Sequence, residues 1–198
     1  GAKNCSSGCR MRIPKHLAAV LSTIFLASSH GAQLPKFDHV IVVIEENHSA
    51  SEILGNAAAP YINSLAAQGA SFANSFAIEH PSQPNYLDIF SGSNQGVTND
   101  NKPASLFTTL NLGAELIAKG LTFGGYSESM PSIGYTGTTF TTISGQNQYV
   151  RKHNPWVNWQ GASANSIPSS DNLRLSDFPT NFSLLPTVSF VVPNEQND

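Results

Sequence analysis

The run Val40-Ile41-Val42-Val43-Ile44 constrains this chain most, being five consecutive apolar, β-branched positions followed at once by Glu45-Glu46-Asn47-His48. An apolar run without alternation reads as a strand covered on both faces of a parallel sheet. Parallel neighbours need crossover connections, usually helices, and the sequence marks several. Ser49 with Glu52 three positions on is a capping box for a short helix stopped at Gly55. Pro60 opens a second helix at its tolerated first position; Tyr61, Ile62 and Leu65 give it an apolar face until Gly69. Residues 71–77 alternate well enough to predict a second strand, with Phe72 and Phe76 on one face. A helix is expected over Asn85–Phe90, another over Leu110–Lys119 closed by Gly120, and strands over Leu121–Tyr126 and Thr187–Val192. Residues 127–183, rich in Ser, Thr, Gly and Asn, carry few periodic signals and read as irregular. The alternation predicts an α/β sandwich with a largely parallel central sheet flanked by helices.

With 198 residues, 40% hydrophobic and 12% charged, the chain has material for one core rather than two. Its net charge of -3 lacks the basic excess that would point to nucleic acid, and no nucleic-acid partner is expected. Met11 to His16 is a short basic stretch, Leu17–Ala27 an apolar run, and Ser28–Ala32 a set of mostly small residues. Residues 11–32 therefore read as a secretory signal, and residues 1–10 as upstream sequence. The apolar run is shorter than the roughly 20 residues a spanning helix needs, so no transmembrane anchor is expected once the signal is removed. The product would be secreted or periplasmic. Cys5 and Cys9 both fall upstream of that signal, which leaves residues 33–198 without a disulfide or a thiolate metal site. The chain stops at Pro193–Asp198, directly after a strand, where active-site loops of α/β sheets begin. Residues 33–198 thus read as the amino-terminal portion of a single domain whose carboxy-terminal part is missing.

Several places could carry chemistry. Glu46 and Asn47, just past the first strand, offer oxygen ligands suited to a divalent metal, although strand-end acids often meet only solvent. Ser82, in His80-Pro81-Ser82-Gln83-Pro84-Asn85, lies where a helix begins. Free N–H groups and the helix dipole there would favour a phosphate or a developing alkoxide. Serine is also a common residue at helix starts and usually caps and nothing more. Arg151-Lys152-His153-Asn154-Pro155-Trp156 gathers phosphate-binding donors and a histidine able to protonate a leaving group, or else forms a basic surface turn. His80 either orients the serine loop or packs under it. Asn94 and Asn99, in the loop after the Ser82 helix, either return an amide to the phosphate or serve as turn residues.

Taken in order, these segments resemble the phosphoesterase family of acid phosphatases and phospholipases C, within the alkaline phosphatase superfamily. Phe37-Asp38-His39-Val40 through His48-Ser49 matches its opening. Ala59-Pro60-Tyr61-Ile62-Asn63, His80-Pro81-Ser82-Gln83-Pro84-Asn85-Tyr86, Arg151 to Trp156 and Val192 to Asp198 continue the match. The resemblance is closest to the short secreted acid phosphatases. It implies an alkaline-phosphatase-like fold, Ser82 as nucleophile, and Glu46 and Asn47 as ligands of a divalent metal ion. It also implies His153 as proton donor or phosphate ligand, with Lys152, His80 and Asn99 as substrate-binding residues. Members continue with a His-Asp pair after the last loop and later with a strand ending in Asp; neither is in this chain.

The implied reaction is hydrolysis of a phosphate monoester through a phosphoserine at Ser82. The substrate would be a small phosphorylated molecule, phospholipids and phosphoinositides included. A phospholipase C-type phosphodiesterase is one alternative. Another, of a different class, is a catalytically incomplete secreted binding protein.

Overall fold

The computed structural model describes residues 35–141, 145 and 147–197; the upstream and signal segments and both cysteines lie outside them. The opening apolar run forms β1 (Val40–Val43), and helices α1 (Ala50–Ile53) and α2 (Pro60–Gln68) follow. Then come α3 (Ser82–Ser91), α4 (Leu112–Ala118) and β2 (Phe123–Ser127). A hairpin of β3 (Thr139–Thr141) and β4 (Asn147–Val150) precedes the short strands β5 (Asn172–Arg174) and β6 (Val188–Val192). The main sheet runs β1-β6-β2-β5 with every pair parallel, in register Val40 to Val188 and Phe123 to Val188. This is the expected α/β arrangement, a largely parallel central sheet flanked by helices.

The core gathers where α3 lies on the sheet. Tyr86, Leu87 and Phe90 of α3 are buried, the spacing that puts residues on one helical face. Phe90 sits at the centre, with ring centroids 5.3 Å from Phe123, 5.6 Å from Trp159 and 5.8 Å from Phe190. Trp156 and Trp159 are fully buried in the same cluster. Trp156 lies so flat on β2 that any side chain on Gly125 would run into its indole. Asn172 accepts the Trp156 indole N–H at 2.9 Å, which satisfies the one polar atom that ring buries.

Three expectations need correcting. Residues 71–77 form no strand: they are turns and extended backbone, with Phe72 and Phe76 about four-fifths exposed, 79% and 83%. Their alternation has no neighbouring strand to pair with, and alternation alone cannot supply one. β1 is not covered on both faces. Among the described residues it is an edge strand paired only with β6, and Ile41 and Val43 lie exposed on the face turned from the core while Val42 packs against it. The stretch 127–183, irregular in sequence, holds the two core indoles on and just after the 3-10 turn Pro155–Asn158. Its order comes from packing rather than periodicity.

Candidate active site

Everything that converges on Ser82 lies at the carboxyl end of the parallel strands. Ser82 is the first residue of α3, after an extended Pro81. Pro84 falls in the first turn, where its missing N–H breaks no helical bond. Asn85 ties the preceding segment to the helix. Its side-chain oxygen accepts from the Ile78 and Glu79 amides, and its nitrogen donates to the Glu79 and Pro81 carbonyls. The nucleophile candidate is therefore held from both sides.

β1 brings in Glu46 from the sheet edge. Ser82 Oγ donates to Glu46 Oε1 at 3.1 Å, and His153 Nε2 lies 2.8 Å from that same oxygen. Burial pushes the Glu46 carboxyl up; its contacts with His153, Ser82 and Lys152 outweigh that and hold it below the usual carboxylate range. Asn47 beside it adopts a left-handed backbone, φ 64°, which asparagine tolerates better than most residues.

His153 ends the 3-10 turn Arg151–His153 and is almost wholly buried. Its ring stacks on Tyr86 of α3, centroids 4.9 Å apart and planes 14° from parallel. Asn154 secures the turn from below, donating to Val150 O at 2.8 Å and accepting from Ser127 Oγ at 2.6 Å. Arg151, in the wall of a recess beside Lys152, has its guanidinium tied to the protein. Its guanidinium points inward to Asn158 Oδ1 and the Thr136 and Val157 carbonyls, and burial lowers its pKa.

The loop after α3 contributes an acid where the sequence suggested an amide. Asp100 Oδ1 accepts from the Gln83 N–H at 3.0 Å, and its other oxygen meets Lys152 Nζ at 3.4 Å. Glu195 takes the same ammonium at 3.3 Å. Burial works against the Lys152 charge, yet Asp100 and Glu195 raise its pKa overall. Since Asp100 occupies the Gln83 amide and Pro84 has none, the start of α3 offers a phosphate fewer donors than its position implied. Asn99 turns its side chain to the Asn101 N–H at 2.9 Å and lines a neighbouring groove with Val97 and Lys102. Asn94 clamps both oxygens of Glu79, at 2.8 and 3.0 Å.

Glu46, Asn47, His80 and Ser82 line one cleft of about 770 Å³, with Tyr86 in its wall. Lys152 lines a second, smaller recess of about 230 Å³ next to it. The structure thus brings Ser82, Glu46 and His153 into contact, with Asn47 and His80 on the same cleft; Lys152 stands to one side and Asn99 apart. The sequence signalled neither Tyr86 as a support for His153 nor Asp100 and Glu195 as partners of Lys152. Glu46 and Asn47 supply two oxygen donors, whereas divalent cations such as Ca²⁺ or Mg²⁺ take six or more. Among the described residues no group of three or more His, Cys, Asp or Glu comes together to hold a metal ion. These two residues are part of a ligand set at most.

Residues 56–198 match the phosphoesterase family. The chain belongs to that family. This phosphoesterase is 43% identical over 190 residues to a phosphatidylinositol-3-phosphatase of Mycobacterium tuberculosis, an overlap of 90% of this chain and 60% of that protein. It is 35% identical over 142 residues to a phosphate-repressible acid phosphatase of Penicillium chrysogenum, covering 69% of this chain and 34% of the relative. An acid phosphatase of Aspergillus fumigatus is 34% identical over 140 residues, 68% of this chain and 31% of that protein. The chain therefore spans 60% of the mycobacterial relative's length and about a third of the fungal ones. No solved structure matches it. Among the described residues no helix is long and apolar enough to cross a membrane.

Proposed function

We propose that this phosphoesterase hydrolyses phosphate monoesters, with Ser82 as nucleophile and a phosphoserine intermediate. The observation that carries the reading is a single carboxylate oxygen, Glu46 Oε1, touching both Ser82 Oγ and His153 Nε2. Ser82 Oγ would form the bond to phosphorus as the ester oxygen departs on the opposite side. The serine proton leaves along its hydrogen bond to Glu46. A carboxylate held below its ordinary range is a weak final acceptor, so Glu46 suits a relay or an orienting role better. His153, buried on the same oxygen, holds Glu46 in place and shares the proton with it, while the alkoxide, departing on the far side into the open cleft, takes its proton from water. Water then cleaves the phosphoserine and frees inorganic phosphate. A divalent ion held by Glu46 and Asn47, with further ligands, would lower the pKa of the serine hydroxyl.

His80, on the cleft, and Lys152, beside it, are the proposed contacts to phosphate oxygens. The relatives' names support small phosphomonoesters as substrates, phosphoinositides among them. Export to the periplasm or medium rests on the signal-like segment 11–32. Ser82→Ala is expected to abolish release of p-nitrophenol from its phosphate. A variant as active as the parent sinks the proposal. Turnover of phosphatidylcholine faster than of the monoester would move the assignment to the phospholipase C type.

A further inference from the structure

Three consecutive residues, Asn99, Asp100 and Asn101, close around Gln83, the residue after Ser82. The Gln83 side chain is 1% exposed, and its amide donates to the Asn99 and Asn101 carbonyls, each at 2.8 Å. Asp100, between them, takes the Gln83 backbone N–H on Oδ1 at 3.0 Å. Helix α3 needs that acceptor. Pro81 before its first turn makes no side-chain cap, so the Gln83 amide is capped from a loop 17 residues on. The other Asp100 oxygen meets the ammonium of Lys152, the residue before His153, at 3.4 Å. One carboxylate thereby holds the sequence neighbours of both Ser82 and His153, which themselves meet on Glu46 Oε1 at 3.1 and 2.8 Å. Asp100 does not touch the reacting atoms. It lines the recess beside Lys152 rather than the cleft that contains Ser82, and its charge would repel a phosphate. Its effect on the reaction runs through the two turns it joins. Displacing a reacting group by about 1 Å can cost roughly a hundredfold in rate.

We propose that Asp100 is a positioning residue for the phosphoryl transfer, holding the turns that carry Ser82 and His153 in the relation at which both reach Glu46. The proposal deepens the phosphomonoesterase reading and rests on it. The test uses the whole chain, with p-nitrophenyl phosphate kinetics and amide hydrogen exchange measured well below the melting temperature. Asp100→Ala removes both links. Asp100→Asn keeps an oxygen for the Gln83 N–H, while Glu195, 3.3 Å from Lys152, keeps hold of the ammonium. Asp100→Ala should lower kcat by about tenfold to a hundredfold with KM within about threefold, and Asp100→Asn should keep kcat within about threefold of the parent. Protection of the Gln83 amide should fall by about tenfold or more in the alanine variant and persist in the asparagine one. A merely structural role would lower the melting temperature of Asp100→Ala and leave kcat of the folded enzyme alone. Parent-like kcat in Asp100→Ala, a loss no smaller in Asp100→Asn, or unchanged Gln83 protection in Asp100→Ala overturns the proposal. Should the alanine variant not fold, Asp100→Glu takes its place, since it keeps the charge but moves the acceptor by one methylene. Its kcat should fall by about threefold or more, and parent-like kcat there overturns the proposal equally. Activity that persists in Ser82→Ala, or a parent without turnover, overturns the phosphoserine reading instead, and the exchange measurement still decides whether Asp100 holds Gln83.

Discussion

Two serines, both fully buried, show how little a residue type says until its partner is known. Ser127 Oγ donates to Asn154 Oδ1 at 2.6 Å, and Asn154 in turn fixes the turn that carries His153. Ser189 Oγ, in the middle of β6, has no hydrogen-bond partner among the described residues. Removing a donor that serves a buried acceptor strands that acceptor, at a cost of about 1–3 kcal/mol; removing a hydroxyl that serves nothing costs little. Ser127→Ala should therefore lower stability by that amount in urea titrations and also reduce the proposed phosphatase activity, since His153 loses its support. Ser189→Ala should be neutral or stabilising by up to about 1 kcal/mol. Equal losses in both variants would show that burial alone, and not partnering, sets the penalty.

Among elements, α3 was the most legible. Ser82, Pro84 and the apolar residues Tyr86, Leu87 and Phe90 signal its start and its buried face within ten residues. Glu46 was legible for the same local reason, an acid directly after an apolar strand. What escaped were contacts between distant segments: Asp100 with Lys152, 52 residues on, or Tyr86 under His153. Nothing in either local sequence encodes the other. The Lys152 turn is bolted to the loop after α3 by this pairing, and the bolt has a defined pH range. Because the folded-state pKa of Lys152 is raised, its contribution is complete below the ordinary lysine value, near pH 10, and is lost as pH rises through the higher folded value. Lys152→Met should lower stability by about 0.5–1 kcal/mol near neutral pH, a partly exposed pair being worth no more. Thermal melts of the two proteins should converge only in strongly alkaline buffer. A gap that closes near neutral pH would assign the effect to another group.

At the scale of the whole molecule, the sequence implied the sheet's composition but not its margin. An apolar run such as Val40–Ile44 looks alike whether a strand lies inside a sheet or at its edge, because covering is decided by other segments. Here Ile41 and Val43 share an open face, 42% and 53% exposed, next to a strand edge that pairs with no other strand among the described residues. An exposed apolar edge strand is a template for association with another chain. The described chain should therefore self-associate as its concentration rises. Ile41→Thr with Val43→Thr keeps β-branched side chains suited to a strand and leaves Val42 on the core, while making the open face polar. Light scattering across a concentration series should show the parent growing in apparent mass and the double variant staying nearer the monomer. Association that is undiminished in the variant would place the adhesive surface elsewhere. Tyr61, Leu65 and Phe72, also exposed and farther along the chain, would then be the residues to substitute next.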